Sequence, residues 1–197
     1  MAARIAREFY TRPTLEVARG LLGQTLVHTI DGVRLAGRIV ETEAYVGPRD
    51  AASHARSGPN GRAAVMWGRG GLAYVYLIYG MHNCFNVVTE PEGTAGAVLV
   101  RALAPLEHIE RASGPALVCQ ALRIDRTLSG VDLVDSLELF LEQGPAVPDE
   151  GVRVGPRIGV EYAGEWANRP FRFWIAESRH VSRPRVTGTI FEPAMLR

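Results

Sequence analysis

Residues 72–79 read Leu-Ala-Tyr-Val-Tyr-Leu-Ile-Tyr, and this stretch decides how the middle of the chain is arranged. Side chains that alternate with period two share one face of a β-strand, so we expect Tyr74 and Tyr76 to line one side of a sheet. The pattern stops at Tyr79, which is followed by Gly-Met, and it resumes at Cys84-Phe-Asn-Val-Val. This interruption predicts a β-hairpin with Tyr79 at its tip.

Other strand patterns lie on both sides of this hairpin and are separated by short turns. Asp31-Gly32 is a strong signal for a second hairpin. Central strands with helices outside them predict an α+β fold, in which a single compact domain over residues 1–197 has a curved antiparallel sheet, flanking helices and a protruding β-hairpin. We predict strands at residues 24–30, 33–42, 72–78, 84–89, 96–102, 157–162 and 172–176, and helices at residues 5–23, 105–113, 115–123 and 132–143.

The composition is that of a globular protein, because 47% of the 197 residues are hydrophobic. No apolar run approaches the roughly 18 residues that a membrane span needs, and the N-terminus lacks the apolar core of a secretory signal. We therefore expect a cytoplasmic protein, associated with the nucleoid in a bacterium, and by default a monomer. Cys84 and Cys119 are too few for a disulfide scaffold or a zinc site.

The basic residues are unusual, because all 22 of them are arginine and none is lysine. The absence of lysine excludes every mechanism that needs its side chain, including a side-chain Schiff base and the phosphate contact of a P-loop lysine. The net charge of +1 is only weak support for nucleic-acid binding. Residues 53–70 nevertheless hold three arginines and no acid.

Residues 41–45 read Glu-Thr-Glu-Ala-Tyr and place Glu41, Glu43 and Tyr45 on one face of a strand. In the functional interpretation, one carboxylate activates water and the other is paired structurally. The alternative is an exposed sheet edge with solvated acids. The tyrosines also have an ordinary interpretation, since aromatic residues at period two are common in sheet cores.

Two further side chains stand out from their surroundings. His54 lies in the long loop 46–71, a length typical of functional loops, and no second His or Cys has metal spacing to it. Arg101 interrupts the apolar stretch Ala-Val-Leu-Val-Arg-Ala-Leu, and a buried guanidinium needs a carboxylate or phosphate partner. Flat aromatic walls, a protruding aromatic side chain and a carboxylate are what an enzyme needs to extrude a base from DNA.

Two other function classes stay open at this point. A carbohydrate glycosidase also uses two carboxyl groups, although it needs them on opposite sides of the scissile bond. A nucleic-acid binding module without catalysis would use the same aromatic residues.

Taken together, the motifs resemble those of the alkyladenine (3-methyladenine) DNA glycosylases, the monofunctional type without a helix-hairpin-helix. The matching stretches follow the order of that family from residue 9 to about residue 175. They include Phe9-Tyr-Thr-Arg-Pro, Val40-Glu-Thr-Glu-Ala-Tyr-Val-Gly-Pro, Ser53-His, Tyr74-Val-Tyr-Leu-Ile-Tyr-Gly-Met, Cys84-Phe-Asn, Val98-Leu-Val-Arg-Ala-Leu, Arg157-Ile-Gly and Ala163-Gly-Glu-Trp.

The resemblance implies a role for each matching residue. Glu43 is expected to be the general base, Arg101 a partner of the reacting water or of a phosphate, and the carbonyl of Ile158 a second contact of that water. Four other residues are expected to form the base-binding pocket, namely Tyr45, His54, Tyr76 and Asn86. Tyr79 and Met81 are expected to intercalate in DNA.

The implied activity is base excision. The enzyme is expected to hydrolyse the N-glycosidic bond of alkylated purines of the 3-methyladenine type in double-stranded DNA, and deaminated or etheno purines are a wider alternative. It is expected to flip the damaged base, to leave an abasic site without strand cleavage, and to need no cofactor and no metal.

Overall fold

The computed structural model describes residues 2–184 and 187–196 and has an α+β architecture, as predicted. Within these residues the α-helices are α1 (Arg7–Tyr10), α2 (Thr14–Gly20) and α3 (Pro115–Ala121). The strands are β1 (Thr25–Ile30), β2 (Val33–Tyr45), β3 (Ala73–Ile78), β4 (His82–Val88), β5 (Ala97–Glu107), β6 (Leu139–Glu142), β7 (Val152–Gly155), β8 (Arg172–Ile175) and β9 (Thr189–Ile190). Short 3-10 helices span His54–Ser57, Gly61–Trp67, Arg126–Leu128, Asp149–Gly151, Glu161–Asn168 and Pro193–Leu196.

Strand β2 organises the sheet because it is long enough to pair with three antiparallel neighbours. Its first half pairs with β1, its second half pairs with β8, and β5 runs along its other edge. The main path of the sheet is β3-β4-β5-β2-β8-β7-β9, and β6 joins it through β1. The strand residues predicted for the site therefore lie in the middle of a continuous antiparallel sheet.

The two faces of the sheet differ in what covers them. Alternate residues such as Val75, Phe85 and Val100 point into the main hydrophobic core, which also contains the helix residues Val17 and Val118. The residues between them point to the other face, which the loop 46–71 covers with its short 3-10 helices. Period-two alternation thus places apolar side chains on one face and leaves the opposite face for a cavity.

The central hairpin is confirmed. Ile78 pairs with His82, and Tyr79 lies at the tip between β3 and β4. The backbone N–H of Met81 donates to the carbonyl of Ile78 at 3.2 Å, and Tyr79 has a left-handed φ of 53°. The side chain of Tyr79 is 84% exposed. The hairpin therefore carries an aromatic ring into solvent at its end.

The helix predicted at residues 105–113 is wrong, because β5 continues to Glu107. Pro105 lies opposite Gly37 in β2, at a position where β5 has no partner on its other edge. Proline has no N–H to donate and is tolerated in such edge positions. The helix predicted at residues 115–123 is confirmed, and Pro115 is its first residue.

The helix predicted at residues 132–143 is also wrong. Asp132 accepts a hydrogen bond from the N–H of Val134, and Ser136 accepts hydrogen bonds from two N–H groups that follow it. Side chains that bond to nearby backbone compete with a helix. Residues 139–142 instead form strand β6, which pairs with β1.

Two other predictions need correction. The helix at residues 5–23 is divided into α1 and α2, because Pro13 restricts the residue before it and ends helical continuity. The strand predicted at residues 157–162 lies earlier, at Val152–Gly155. Residues 156–160 are irregular, and their backbone contributes to the candidate active site.

Among the described residues, no helix has the length and apolar character needed to cross a membrane.

Candidate active site

A cavity of about 360 Å³ lies on the face of the sheet that is covered by the loop 46–71. Strands β2, β3, β4 and β5 supply its floor, and the irregular segment 158–160 supplies one wall. Most of the residues predicted for the site line it, namely Tyr45, His54, Tyr76, Tyr79, Asn86, Arg101 and Ile158. Glu43 lies immediately beneath, and Met81 lies outside, beside a smaller cleft near α3.

Glu43 is buried at the floor of the cavity and receives three donors. Its Oε1 accepts the backbone N–H of Ile158 at 2.8 Å. Its Oε2 accepts the hydroxyl of Tyr45 at 3.0 Å and lies 3.2 Å from Nη1 of Arg101. A carboxylate has about four acceptor positions, so within residues 2–184 and 187–196 one position on Oε1 has no donor.

Glu41 is also fully buried, but its partners seal it. Nε of Arg172 donates to Oε1 at 2.7 Å, and the N–H of Ser182 donates to Oε2 at 2.7 Å. The Ser182 hydroxyl adds a hydrogen bond to Oε1 at 3.0 Å. Both carboxylates are 0% exposed, which rules out the alternative of solvated acids at a sheet edge.

Arg101 lies between the two carboxylates because of an irregularity in the sheet. Glu41 pairs with Ala102 and Thr42 pairs with Val100, so Arg101 is left out of the register. Such a β-bulge redirects a side chain. Burial opposes the charge of Arg101, but Glu43 and Glu41 outweigh burial and hold its pKa above the ordinary value. Its partners are therefore the carboxylates that the sequence required.

Aromatic rings form the walls of the cavity. The rings of His54 and Tyr76 meet edge to face, with centroids 4.6 Å apart, and Tyr74 lies 5.4 Å from Tyr76 at a tilt. The hydroxyl of Tyr74 lies 2.9 Å from Nδ1 of His54. Edge-to-face and offset rings attract one another, so the walls are mutually supported.

His54 is neutral in this wall. Burial, followed by the nearby Arg62, lowers its pKa from 6.5 to about 4. Nη2 of Arg62 lies 3.4 Å from Nε2 of His54, and because an arginine only donates, this nitrogen is the acceptor. The proton is then on Nδ1, which donates to Tyr74. His54 therefore adds no positive charge near neutral pH, and the charge at this position is that of Arg62, which also lines the cavity.

Asn86 is held in one orientation by two backbone carbonyls. Its Nδ2 donates to the carbonyl of Tyr74 at 3.0 Å and to that of Cys84 at 3.3 Å. Two acceptors fix which end of the amide carries nitrogen. The side-chain oxygen is consequently the group that Asn86 has available for a ligand.

The structure adds residues that sequence reasoning missed. Ser182 and Arg172 hold Glu41, and Arg157 forms a buried ion pair with Asp50 behind Tyr45. No local pattern marks these contacts, which join residues more than 100 positions apart. The structure also gives Ile158 a contact that the sequence did not predict, because its N–H donates to Glu43.

A second cavity of about 700 Å³ adjoins the first and shares Arg101 and Pro115 with it. Arg111 and Arg183 also line it, against one carboxylate, Glu110. Within residues 2–184 and 187–196, no group of three or more His, Cys, Asp or Glu side chains is placed to hold a metal ion. The two cysteines, Cys84 and Cys119, are buried and unpaired.

Aromatic walls suit a flat ring and a buried carboxylate beneath them suits the activation of water, so the class of protein is a hydrolase that acts on a planar group. A sequence model described as methylpurine-DNA glycosylase matches residues 8–179. The chain belongs to the methylpurine-DNA glycosylase family, and it is a DNA glycosylase, as the resemblance predicted.

Relatives from distant organisms resemble most of the chain, and each is named "Putative 3-methyladenine DNA glycosylase". The Anaeromyxobacter dehalogenans (strain 2CP-C) protein is 55% identical over 183 residues, which cover 92% of this chain and 87% of that protein. The Methanocella arvoryzae protein is 51% identical over 200 residues, 94% and 98% of the two chains. The Legionella pneumophila (strain Corby) protein is 46% identical over 181 residues, 91% and 98% of the two chains.

Proposed function

We propose that this enzyme hydrolyses the N-glycosidic bond of alkylated purines of the 3-methyladenine type in duplex DNA and leaves an abasic site in an intact strand. The names of the relatives, which specify 3-methyladenine, support this type of lesion. The observation that carries the proposal is the open acceptor position on Glu43, directly beneath an aromatic cavity. One chain supplies every contact, so a monomer suffices.

Glu43 is the general base of the proposed reaction. Water bound to Oε1 gives its proton to Glu43 while its oxygen bonds to C1′ of the sugar. The bond between C1′ and the base nitrogen breaks, and its electron pair leaves with the base. Arg101 and the N–H of Ile158 keep the carboxylate oriented. The carbonyl of Ile158 is a second proposed contact of the water.

The walls suit a cationic base. Alkylation at a ring nitrogen gives a purine a positive charge, and its attraction to a tyrosine face is worth ~1–2 kcal/mol when water is excluded. Tyr45 and Tyr76 supply such faces, and neutral His54 adds no charge to that of Arg62 at the rim of the same wall. The oxygen of Asn86 is available to the purine edge. A cationic base also leaves without being protonated, so one carboxylate suffices.

Base flipping follows from the hairpin. A base that leaves the stack costs a few kcal/mol, and a side chain that fills the gap offsets this cost. Tyr79 is 84% exposed and lines the cavity, and Met81 is 70% exposed and lines the smaller cleft on the other side of the hairpin tip from it. We assign both to intercalation. We assign the arginines that line the second cavity, Arg111 and Arg183, to contacts with phosphates of the same strand.

The test is single-turnover base release from labelled duplexes that carry 7-methylguanine, hypoxanthine or ethenoadenine. Glu43→Gln should slow release about 1,000-fold, because the general base is lost while its shape is kept. The exposed acid Glu138 provides the control, and Glu138→Gln should match the wild type.

Each result has a distinct meaning. Strands should break only after alkali, and borohydride should trap no protein–DNA adduct, because a side-chain amine nucleophile is absent. No release from any duplex overturns the proposed activity. Equal release of the purine by wild type and Glu43→Gln would mean that another residue is the general base, and it would overturn the role of Glu43.

A further inference from the structure

Arg157 and Asp50 form a buried ion pair outside the cavity lining. Both side chains are 0% exposed. Nη1 of Arg157 lies 2.5 Å from Oδ2 of Asp50, and Nη2 lies 2.8 Å from Oδ1, so the contact is bidentate. The same guanidinium donates to the carbonyls of Ala44 at 2.8 Å and Trp166 at 3.3 Å.

Asp50 is itself fixed by the turn that carries it. Its Oδ2 accepts the N–H of Val46 at 3.2 Å, and its Oδ1 accepts the N–H of Ala52 at 3.0 Å. A buried pair with this many hydrogen bonds has a single arrangement. Burial disfavours the charged form of Arg157, yet the hydrogen bonds and charge of Asp50 hold its pKa above the ordinary value. The pair is therefore ionic.

The position of the pair relative to the cavity is what matters. The guanidinium carbon of Arg157 lies 4.7 Å from the centroid of the Tyr45 ring. Tyr45 lines the cavity and Arg157 does not, so the ring separates the cation from the cavity. The next residue, Ile158, donates its N–H to Glu43. The pair thus stands directly behind one wall of the site.

A cation at this place has an electrostatic consequence. Two like charges about 10 Å apart repel enough, at an effective dielectric constant of about 20, to change an affinity or a rate roughly tenfold. An unneutralised Arg157 would also engage the π-electrons of Tyr45 that a cationic base uses from the other face. Asp50 supplies the opposite charge in a bidentate contact and removes most of this repulsion.

We propose that Asp50 is a specificity-determining residue, which neutralises Arg157 behind Tyr45 and so lets the cavity accept cationic damaged bases in preference to neutral ones. This inference rests on the proposed function. Asp50 acts through Arg157 and Tyr45, and it does not touch the base. The same pair also fixes the backbone from which Ile158 reaches Glu43.

The experiment compares Asp50→Asn with wild type on a cationic and a neutral lesion. The single-turnover rate of 7-methylguanine release should fall about tenfold more than that of ethenoadenine release, because only the former base carries charge. A loss of pair geometry alone would reduce both by the same factor. Equal losses overturn the proposal.

A matched control exists elsewhere in the chain. Arg7 and Asp132 form another ion pair, in which Nη2 of Arg7 lies 2.7 Å from both carboxylate oxygens and Nη1 donates to the carbonyl of Gly70. Asp132 also pairs with Arg69. This pair lies outside both cavities. Asp132→Asn should leave the ratio between the two lesions unchanged, and a parallel change there would overturn the assignment to Asp50.

A second variant restores neutrality. Asp50→Asn combined with Arg157→Gln removes both charges, so the preference for the cationic lesion should return to within about threefold of wild type. If Asp50→Asn fails to fold, Asp50→Ser makes the same charge change with a side chain common in turns. Absence of base release from wild type would contradict the proposed function, whereas an unchanged ratio with active wild type contradicts only the role of Asp50.

Discussion

Glu41 and Glu43 stand two residues apart on one strand and are equally buried, yet their surroundings differ. Arg172 and both polar groups of Ser182 close around Glu41. Glu43 has three contacts against four for Glu41, and among the described residues a single donor, the N–H of Ile158, reaches its Oε1. Arg101 contacts both carboxylates, at 3.4 Å and 3.2 Å.

The difference teaches that burial alone does not assign a role to a carboxylate. Glu41 has its charge balanced inside the protein, and its removal should affect stability. Glu43 keeps acceptor capacity toward a ligand, and its removal should affect chemistry. The following predictions test this division, beginning with the largest expected effect.

Glu41→Gln should lower the free energy of unfolding by about 3–5 kcal/mol. The change leaves the buried guanidinium of Arg172 without its carboxylate, and an unpaired buried charge is costly. Urea denaturation measures the effect. Glu107→Gln is the control, because Glu107 pairs with Arg34 at the surface and should cost under about 1 kcal/mol. Similar losses of unfolding free energy for both variants would contradict the assignment of Glu41 to a structural role.

Tyr79→Ala tests the open side and should weaken binding to a lesion-bearing duplex about tenfold, because nothing then fills the gap left by the flipped base. Fluorescence anisotropy measures the affinity. Leu137→Ala removes an equally exposed apolar side chain, 81% exposed, away from both cavities. If the two variants bind alike, Tyr79 has no role in intercalation.

His54 gives the smallest expected effect, and it depends on pH. Its pKa of about 4 in the folded protein lies below the value of 6.5, so the unfolded chain binds a proton that the folded protein rejects. The free energy of unfolding should therefore fall as pH falls from about 6.5 to about 4. In His54→Gln the slope of the free energy of unfolding against pH should be smaller, by at most the amount that one bound proton contributes. Parallel pH profiles for wild type and variant would refute a depressed pKa.

Local patterns in the sequence predict one part of the site well. The alternation in residues 72–78 places Tyr74 and Tyr76 on the cavity face, and the break after it places Tyr79 at the hairpin tip. These inferences succeed because period-two geometry is a local property of a strand. Arg101 is similarly conspicuous, since a charge within an apolar strand requires a partner.

The rest depends on contacts that no local pattern encodes. Arg157 reaches Asp50 across 107 positions, and Ser182 reaches Glu41 across 141 positions. The helix predicted at residues 132–143 failed for a related reason, because Leu139 and Leu141 fit either a helix or a strand until β1 provides a partner. Tertiary pairing decides such cases.

The two buried cysteines have a consequence for survival under chemical stress. Burial raises the pKa of Cys84 and of Cys119, so both stay as thiols near neutral pH. The thiolate is the reactive form toward electrophiles, and the chain has no lysine amine to react instead. Agents that methylate purines therefore meet buried thiols and no lysine amine in this protein, so the 70% exposed thioether of Met81 is a soft nucleophile left open to the same chemistry that damages the substrate.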